Sequence, residues 1–111
     1  MLRGFEIELK ELKAELLKMG GYVELAISKA TEALNSRDTS LLKEVRAVED
    51  KINAAHVTID NMCLEILARL SPVAADLRLI LSIIKINTDL ERMGDQAINI
   101  SYNTEHYLDD K

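Results

Sequence analysis

The sequence predicts an all-α fold, an elongated antiparallel three-helix bundle. Apolar residues recur in alternating steps of three and four along three long stretches, which is typical of helices that pack along a seam. Only 4 glycines and 1 proline are present, too few for the many turns of an all-β chain. The breaks between the stretches are short, so successive helices run antiparallel. With 111 residues, the chain is predicted to form one domain over 1–111.

The first stretch predicts a helix over about residues 3–35. Its seam consists of Phe5, Leu9, Leu12, Leu16, Met19, Val23, Ala26, Ala30 and Ala33. Two adjacent glycines, Gly20 and Gly21, lie within it, and such a pair usually indicates a helix end. The apolar phase nevertheless continues across them. We therefore expect one helix with a soft or kinked middle, at a cost of about 1 kcal/mol per glycine relative to alanine.

A polar break over residues 35–40 precedes the second helix, predicted over about residues 39–70. Its seam is Leu41, Val45, Val48, Ile52, Ala55, Ile59, Met62 and Ile66. Ser71 and Pro72 predict a third helix over about residues 72–108, because serine caps helices and proline favours the first helical position.

The third helix has more apolar residues than one seam can use. Its seam is Leu79, Ile83, Ile86, Leu90, Met93, Ala97 and Ile100. The surplus is Leu77, Ile80, Leu81 and Ile84. A helix that is apolar over most of its circumference is buried on more than one side. The surplus either packs against both neighbouring helices or forms a partner surface, and we favour a homodimer.

Composition excludes several classes of protein. The net charge is −5, aromatic residues make up 4% and tryptophan is absent, so nucleic acid is a poor partner. The single cysteine, Cys63, cannot form an internal disulfide and is expected to be a small buried hydrophobe. The N-terminus lacks the apolar core of a signal peptide, and no apolar run approaches the ~20 residues that span a bilayer. We expect a cytoplasmic protein.

The acidic pair Glu91 and Asp95 is the first candidate metal site. Residues four apart share one helix face, and two like charges at that spacing destabilise a helix by a few tenths of a kcal/mol. A bound cation would reverse that effect, and Gly94 between them would let an ion or another helix approach. On spacing alone, a solvated acidic face is the commoner structure.

Glu49 and Asn53 place two more oxygen donors at the same spacing on the second helix. If helices two and three pack side by side, both pairs could converge on one ion or a small cluster. Oxygen ligands favour magnesium, manganese or iron over zinc. His56, near this line, is more simply explained as a boundary histidine with one hydrogen bond.

Catalysis has no support in the sequence. The pair of Glu-x-x-His motifs that a helical di-iron oxidase requires is missing. A glycine-rich phosphate loop and a nucleophile elbow are missing as well. We therefore predict that the protein is not an enzyme.

Three motifs resemble the PhoU family, the phosphate-transport regulatory proteins of bacteria and archaea. Residues 72–80, 89–95 and 99–100 resemble its signature on helix three. Residues 19–24 resemble its helix-one motif and residues 49–53 its helix-two motif. The resemblance covers essentially the whole chain in the same order and spacing.

The resemblance implies a fold of two three-helix bundles in tandem. It also implies a metal-binding motif, in which an acidic residue is followed four positions later by Asp. In the family this motif holds multinuclear metal clusters, often of iron. Glu91 and Asp95 match that motif, and Glu49 matches its first position. Asn53 stands where the motif has Asp, and its amide could still ligate through the carbonyl oxygen. The implied metal residues are therefore Glu91, Asp95, Glu49 and Asn53.

The implied function is non-enzymatic regulation of inorganic phosphate uptake and phosphate-starvation signalling. The implied partners are the ATPase of the phosphate ABC transporter and a phosphate-sensing histidine kinase, so that the protein meets membranes only through partners. The family has two bundles, whereas this chain supplies one, so it is either a single-repeat member that pairs with itself or a fragment that lacks its second half. The spare apolar face of helix three favours a homodimer. Two alternatives stay open, a metal-buffering helical protein and a purely structural helical oligomer.

Overall fold

Three long helices form a rod whose Cα trace measures 60 × 17 × 16 Å. The computed structural model describes residues 2–109, with side chains described for 4–108. The helices are α1 (Leu2–Ser36), α2 (Ser40–Leu70) and α3 (Ala74–Asp109). Within 2–109 there is no strand, and none of the helices is long and apolar enough to cross a membrane. The predicted all-α three-helix fold is confirmed.

Ion pairs between the ends of the helices show that the bundle runs up, down and up. Glu8, near the start of α1, pairs with Arg69 near the end of α2. Arg46, near the start of α2, lies 3.1 Å from Glu105 near the end of α3. Successive helices are therefore antiparallel, as predicted, and α1 runs parallel to α3.

The seams predicted for α1 and α2 form the core. From Met19 to Ala33 the predicted α1 positions are all buried, and Phe5, Leu9 and Leu16 are partly buried. On α2 the prediction is wrong at two positions: Leu41 and Met62 are only partly buried, and the adjacent Leu42 and Cys63 are buried instead. Burial raises the pKa of the Cys63 thiol to about 11, with the charge of Asp60 a second cause, so the thiol stays protonated at neutral pH.

The seam predicted for α3 is wrong at three positions. Ile86, Met93 and Ile100 are 44%, 46% and 37% exposed. Polar and small side chains lie in the core instead, and Ile80, assigned to the surplus, is buried as well. The buried line of α3 is Ile80, Ile83, Asn87, Gly94, Ala97, Ser101 and Thr104.

The buried line of α3 differs from the predicted seam because this helix buries small and polar residues, which let its backbone come close to the neighbouring helices. Ser101 satisfies its hydroxyl locally by donating to the Ala97 carbonyl at 3.1 Å. A helical periodicity that is sought among apolar residues alone therefore identifies the neighbouring line of residues, which is exposed.

The first loop agrees with the predicted break. Asp38 Oδ1 accepts hydrogen bonds from the Ser40 hydroxyl at 2.6 Å and the Ser40 backbone N–H at 3.0 Å. These bonds lower the pKa of Asp38, the side-chain bond being the larger cause. They also satisfy a free donor at the start of α2, where Thr39 makes no side-chain cap.

The second loop corrects the predicted start of the third helix. Ser71 adopts the left-handed conformation, φ 42° and ψ 58°, and ends α2 instead of capping α3. A residue before proline is disfavoured in the right-handed helical region, which explains the end of α2 here. Helix α3 begins at Ala74 rather than at residue 72, with Asp76 in its first turn, where a carboxylate suits the helix dipole.

Two kinds of glycine occur inside the helices. Helix α1 continues through Gly20 and Gly21, where an added Cβ would meet open space. At the buried Gly94 of α3, an added Cβ would lie 3.0 Å from Glu49 Oε2 and 3.0 Å from Ile52 Cδ1 of α2. Gly94 is therefore a point where α3 lies close against α2 side chains.

The two kinds of glycine should respond oppositely to alanine. Gly20→Ala should raise the free energy of unfolding by about 0.5–1 kcal/mol, since alanine loses less backbone entropy in a helix. Gly94→Ala should lower it by about 1–3 kcal/mol, because Ile52 is fully buried and cannot move aside freely. Urea denaturation followed by circular dichroism measures both changes. Equal stabilisation by both substitutions would contradict the close approach at Gly94.

Candidate metal centre

Three carboxylates face one another across the groove between α2 and α3. Glu49 comes from α2, and Glu91 and Asp95 come from one face of α3. The contact exists because Gly94 removes the side chain that would otherwise separate the two helices. We call these three residues the acidic cluster.

The acidic cluster is electrostatically strained at Glu49. Its Oε2 atom is buried and accepts no hydrogen bond. Burial is the largest cause that raises the pKa of Glu49 from 4.5 to about 7. A hydrogen bond of its protonated form to Asp95, and repulsion from Asp95 and Glu91, add to the shift. A proton or a cation is therefore favoured at this point of the groove.

A buried polar group continues the groove beyond the acidic cluster. Asn87 is fully buried and donates through Nδ2 to Asp60 Oδ1 and to the His56 carbonyl, both at 3.0 Å. His56 Nε2 lies 3.5 Å from Asp60 Oδ2 and 3.7 Å from Glu91 Oε1. His56 therefore joins the acidic cluster to Asn87 and Asp60, and has two acidic neighbours where a single hydrogen bond was expected.

Three of the four predicted metal residues are brought together. Glu49, Glu91 and Asp95 form the acidic cluster, whereas Asn53 is exposed one turn further along α2. Sequence reasoning missed Asn87, which took the place of an apolar residue in the buried line. Its position four residues before Glu91, on the helix face that carries the acidic pair, is the sequence feature that could have identified it.

The donor set suits a hard or borderline cation, since it consists of carboxylate oxygens with an amide nearby. The buried Glu49 oxygen has no partner, and a cation would supply one. In the part of the chain that the structure describes, no three His, Cys, Asp or Glu side chains are already placed to hold one ion. Binding would therefore require rotation of the carboxylates towards the ion.

The raised pKa of Glu49 makes stability depend on pH. The folded chain binds this proton more tightly than the unfolded chain, so the stabilisation is complete below pH 4.5 and is lost as the pH rises through about 7. Glu49→Gln should flatten the fall in unfolding free energy between pH 5 and 8 and should stabilise the protein at pH 8.

Urea melts at several pH values in the presence of a chelator measure this effect. Glu24→Gln, at an exposed position of α1, is the control and should leave the profile unchanged. An unaltered profile in Glu49→Gln would show that Glu49 is not the group responsible.

Asn87 and Asn53 form a matched pair for stability. Asn87→Ala should lower the free energy of unfolding by about 1–3 kcal/mol, because the part-buried His56 carbonyl and Asp60 carboxylate lose the donor that Asn87 supplies. Asn53→Ala, at an exposed position, should change it by about 0.5 kcal/mol or less. Thermal and urea denaturation of the two variants in metal-free buffer measure both changes in the free energy of unfolding. A smaller change in Asn87→Ala than in Asn53→Ala would contradict the stabilising role of the buried Asn87.

Comparison with known proteins concerns the chain as a whole. A family model described as the PhoU domain matches residues 16–104. A phosphate-specific transport system accessory protein PhoU homolog from Pseudomonas putida is 47% identical over 97 residues, 87% of this chain and 38% of that protein. The PhoU accessory protein of Escherichia coli (strain K12) is 38% identical over 96 residues, 86% of this chain and 40% of that protein.

The crystal structure of PhoU from Pseudomonas aeruginosa superposes with a TM-score of 0.93 and 42% identity, covering 96% of this chain and 51% of that one. The chain thus spans between 38% and 51% of the length of these three relatives. The family model matches well over half of the chain, and the fold agrees over nearly all of it. The chain therefore belongs to the PhoU family.

Proposed function

We propose that the protein is a non-enzymatic regulator of inorganic phosphate uptake and phosphate-starvation signalling, acting in the cytoplasm as a metal-binding helical adaptor. The observation that carries this proposal is the PhoU domain match over residues 16–104, together with relatives named as accessory proteins of phosphate-specific transport. The proposed partners are the ATPase of the phosphate ABC transporter and a phosphate-sensing histidine kinase.

The metal part of the proposal rests on the acidic cluster. Glu49, Glu91 and Asp95 would hold the ion, and Asn53 would add an oxygen after rotating towards them. A bound cation neutralises the repulsion between these carboxylates and links α2 to α3. The oxygen-rich donor set favours iron, manganese or magnesium, in a single site or a multinuclear cluster.

In the proposed role, the bound ion alters the adaptor itself and takes no part in converting a substrate. Without it, the three carboxylates repel one another and Glu49 takes up a proton near neutral pH. With it, the groove between α2 and α3 gains a fixed positive centre that ties two full-length helices together. A partner that contacts either helix would then bind with an affinity that depends on metal.

Elemental analysis and a binding assay test the proposal together. The wild-type chain should contain about one or more divalent or iron-type ions and should bind the immobilised ATPase of a phosphate ABC transporter. Glu91→Ala/Asp95→Ala should lose the metal, because it removes two of the three carboxylates of the cluster. Binding to the ATPase should weaken in the same variant and in wild-type protein treated with a chelator.

Glu11→Ala/Glu15→Ala is the matched control, since it removes two glutamates at the same four-residue spacing on α1. It should keep both metal and binding. Several readily exchanged ions per chain without ATPase binding would favour metal buffering instead. Wild-type protein free of metal, with unaltered behaviour of Glu91→Ala/Asp95→Ala, would favour a purely structural helical oligomer.

A further inference from the structure

His56 lies between two carboxylates at the edge of the acidic cluster. Its Nε2 atom is 3.5 Å from Asp60 Oδ2, one turn further along α2, and 3.7 Å from Glu91 Oε1 of α3. Both separations are somewhat longer than a hydrogen bond, so a small rotation of the side chains closes either of them. The His56 side chain is only 18% exposed. The imidazole therefore bridges α2 and α3 beside one of the proposed metal-binding residues.

The surroundings of the two ring nitrogens assign the proton of the neutral imidazole to Nε2. His56 Nδ1 is buried and has no hydrogen-bond partner among the residues that the structure describes. A proton on Nδ1 would be a buried donor without an acceptor, which is costly. Nε2 faces two carboxylates, which only accept hydrogen bonds when they are ionised. His56 therefore presents an N–H donor to Glu91 and Asp60.

A buried amide supports His56 from behind. Asn87 Nδ2 donates to Asp60 Oδ1 at 3.0 Å, so the other oxygen of Asp60 is the one that faces the imidazole. The same amide nitrogen donates to the His56 backbone carbonyl, also at 3.0 Å. Because Asn87 is fully buried, these two bonds hold the backbone of His56 and the carboxylate of Asp60 in fixed positions.

We propose that His56 is a positioning residue of the metal centre: its Nε2–H, anchored on Asp60, holds one oxygen of Glu91 and so directs the other towards the ion. This inference rests on the metal part of the proposed function. A free glutamate side chain loses rotamer entropy when an ion orders it, and a carboxylate that is already held loses less. Hydrogen bonds to metal-binding side chains typically contribute 10- to 100-fold to metal affinity.

The same observations separate positioning from direct ligation. A histidine binds a metal ion through a ring nitrogen that carries no proton. In His56 that nitrogen is Nδ1, which is buried, whereas Nε2 carries the proton and faces the carboxylates. The imidazole thus acts on the ion through Glu91.

Binding of Mn²⁺ to chelator-stripped protein tests the inference, with the free ion counted by electron paramagnetic resonance. His56→Leu removes the donor and should raise the dissociation constant about 10- to 100-fold with unchanged helical circular dichroism. His56→Gln should stay within about threefold of the wild type, because its amide N–H donates from nearly the position of Nε2. A purely structural role of the ring would not be rescued by glutamine.

His106→Leu is the matched control, since it removes the other histidine of the chain at an exposed position of α3. It should bind Mn²⁺ as the wild type does. Nitrogen-15 NMR of the metal-free wild type gives a second readout, because it locates the proton on the neutral His56 ring. The expected tautomer carries the proton on Nε2.

Equal Mn²⁺ binding by the wild type and His56→Leu would overturn the inference and leave the proposed function standing. A proton on Nδ1 would overturn it as well. So would an equal loss of affinity in His56→Gln and His56→Leu, which would make the imidazole itself a ligand. A wild type that binds neither Mn²⁺ nor Fe²⁺ would instead contradict the metal part of the proposed function, and this inference with it.

Discussion

The close approach of α3 to α2 at Gly94 is the constraint on which the groove depends. With no side chain at this position, the α3 backbone lies against Ile52 and the buried oxygen of Glu49. Glu91 and Asp95, on either side of Gly94 in the sequence, are thereby held close to the carboxylate of the facing helix. One missing methyl group thus brings two helices together and creates a site of concentrated negative charge.

This arrangement does not maximise stability. Carboxylates that face one another across a helix contact destabilise the ionised protein, as the raised pKa of Glu49 indicates. Buried polar groups such as Asn87 stabilise less than apolar packing unless every hydrogen bond is made, and Asn87 Oδ1 has no partner. Residues whose charge or polarity conflicts with stability of the fold are expected at functional sites. This expectation supports the proposal that the groove is the functional site of the bundle.

The sequence predicted α1 and α2 closely because their core positions are mostly apolar and recur at the helical period. It failed on α3, where the core accepts Asn87 and Ser101 and the apolar residues Ile86 and Met93 face outward. Periodicity reports which residues are apolar, but the tertiary contact decides which line is buried. For the site, four-residue spacing identified the acidic positions on each helix. The relative placement of the two helices, and with it the exposure of Asn53, required the structure.

The most direct test of the close contact between α2 and α3 is a carbon-13 NMR titration of the Glu49 carboxyl group in metal-free protein, in the wild type and in Asp95→Asn. The close contact at Gly94 predicts a midpoint near pH 7 in the wild type. In Asp95→Asn the midpoint should fall but stay above 4.5, because burial remains after the neighbouring charge is removed. A wild-type midpoint near 4.5, or one that Asp95→Asn does not move, would show that the carboxylates of α2 and α3 are not held together.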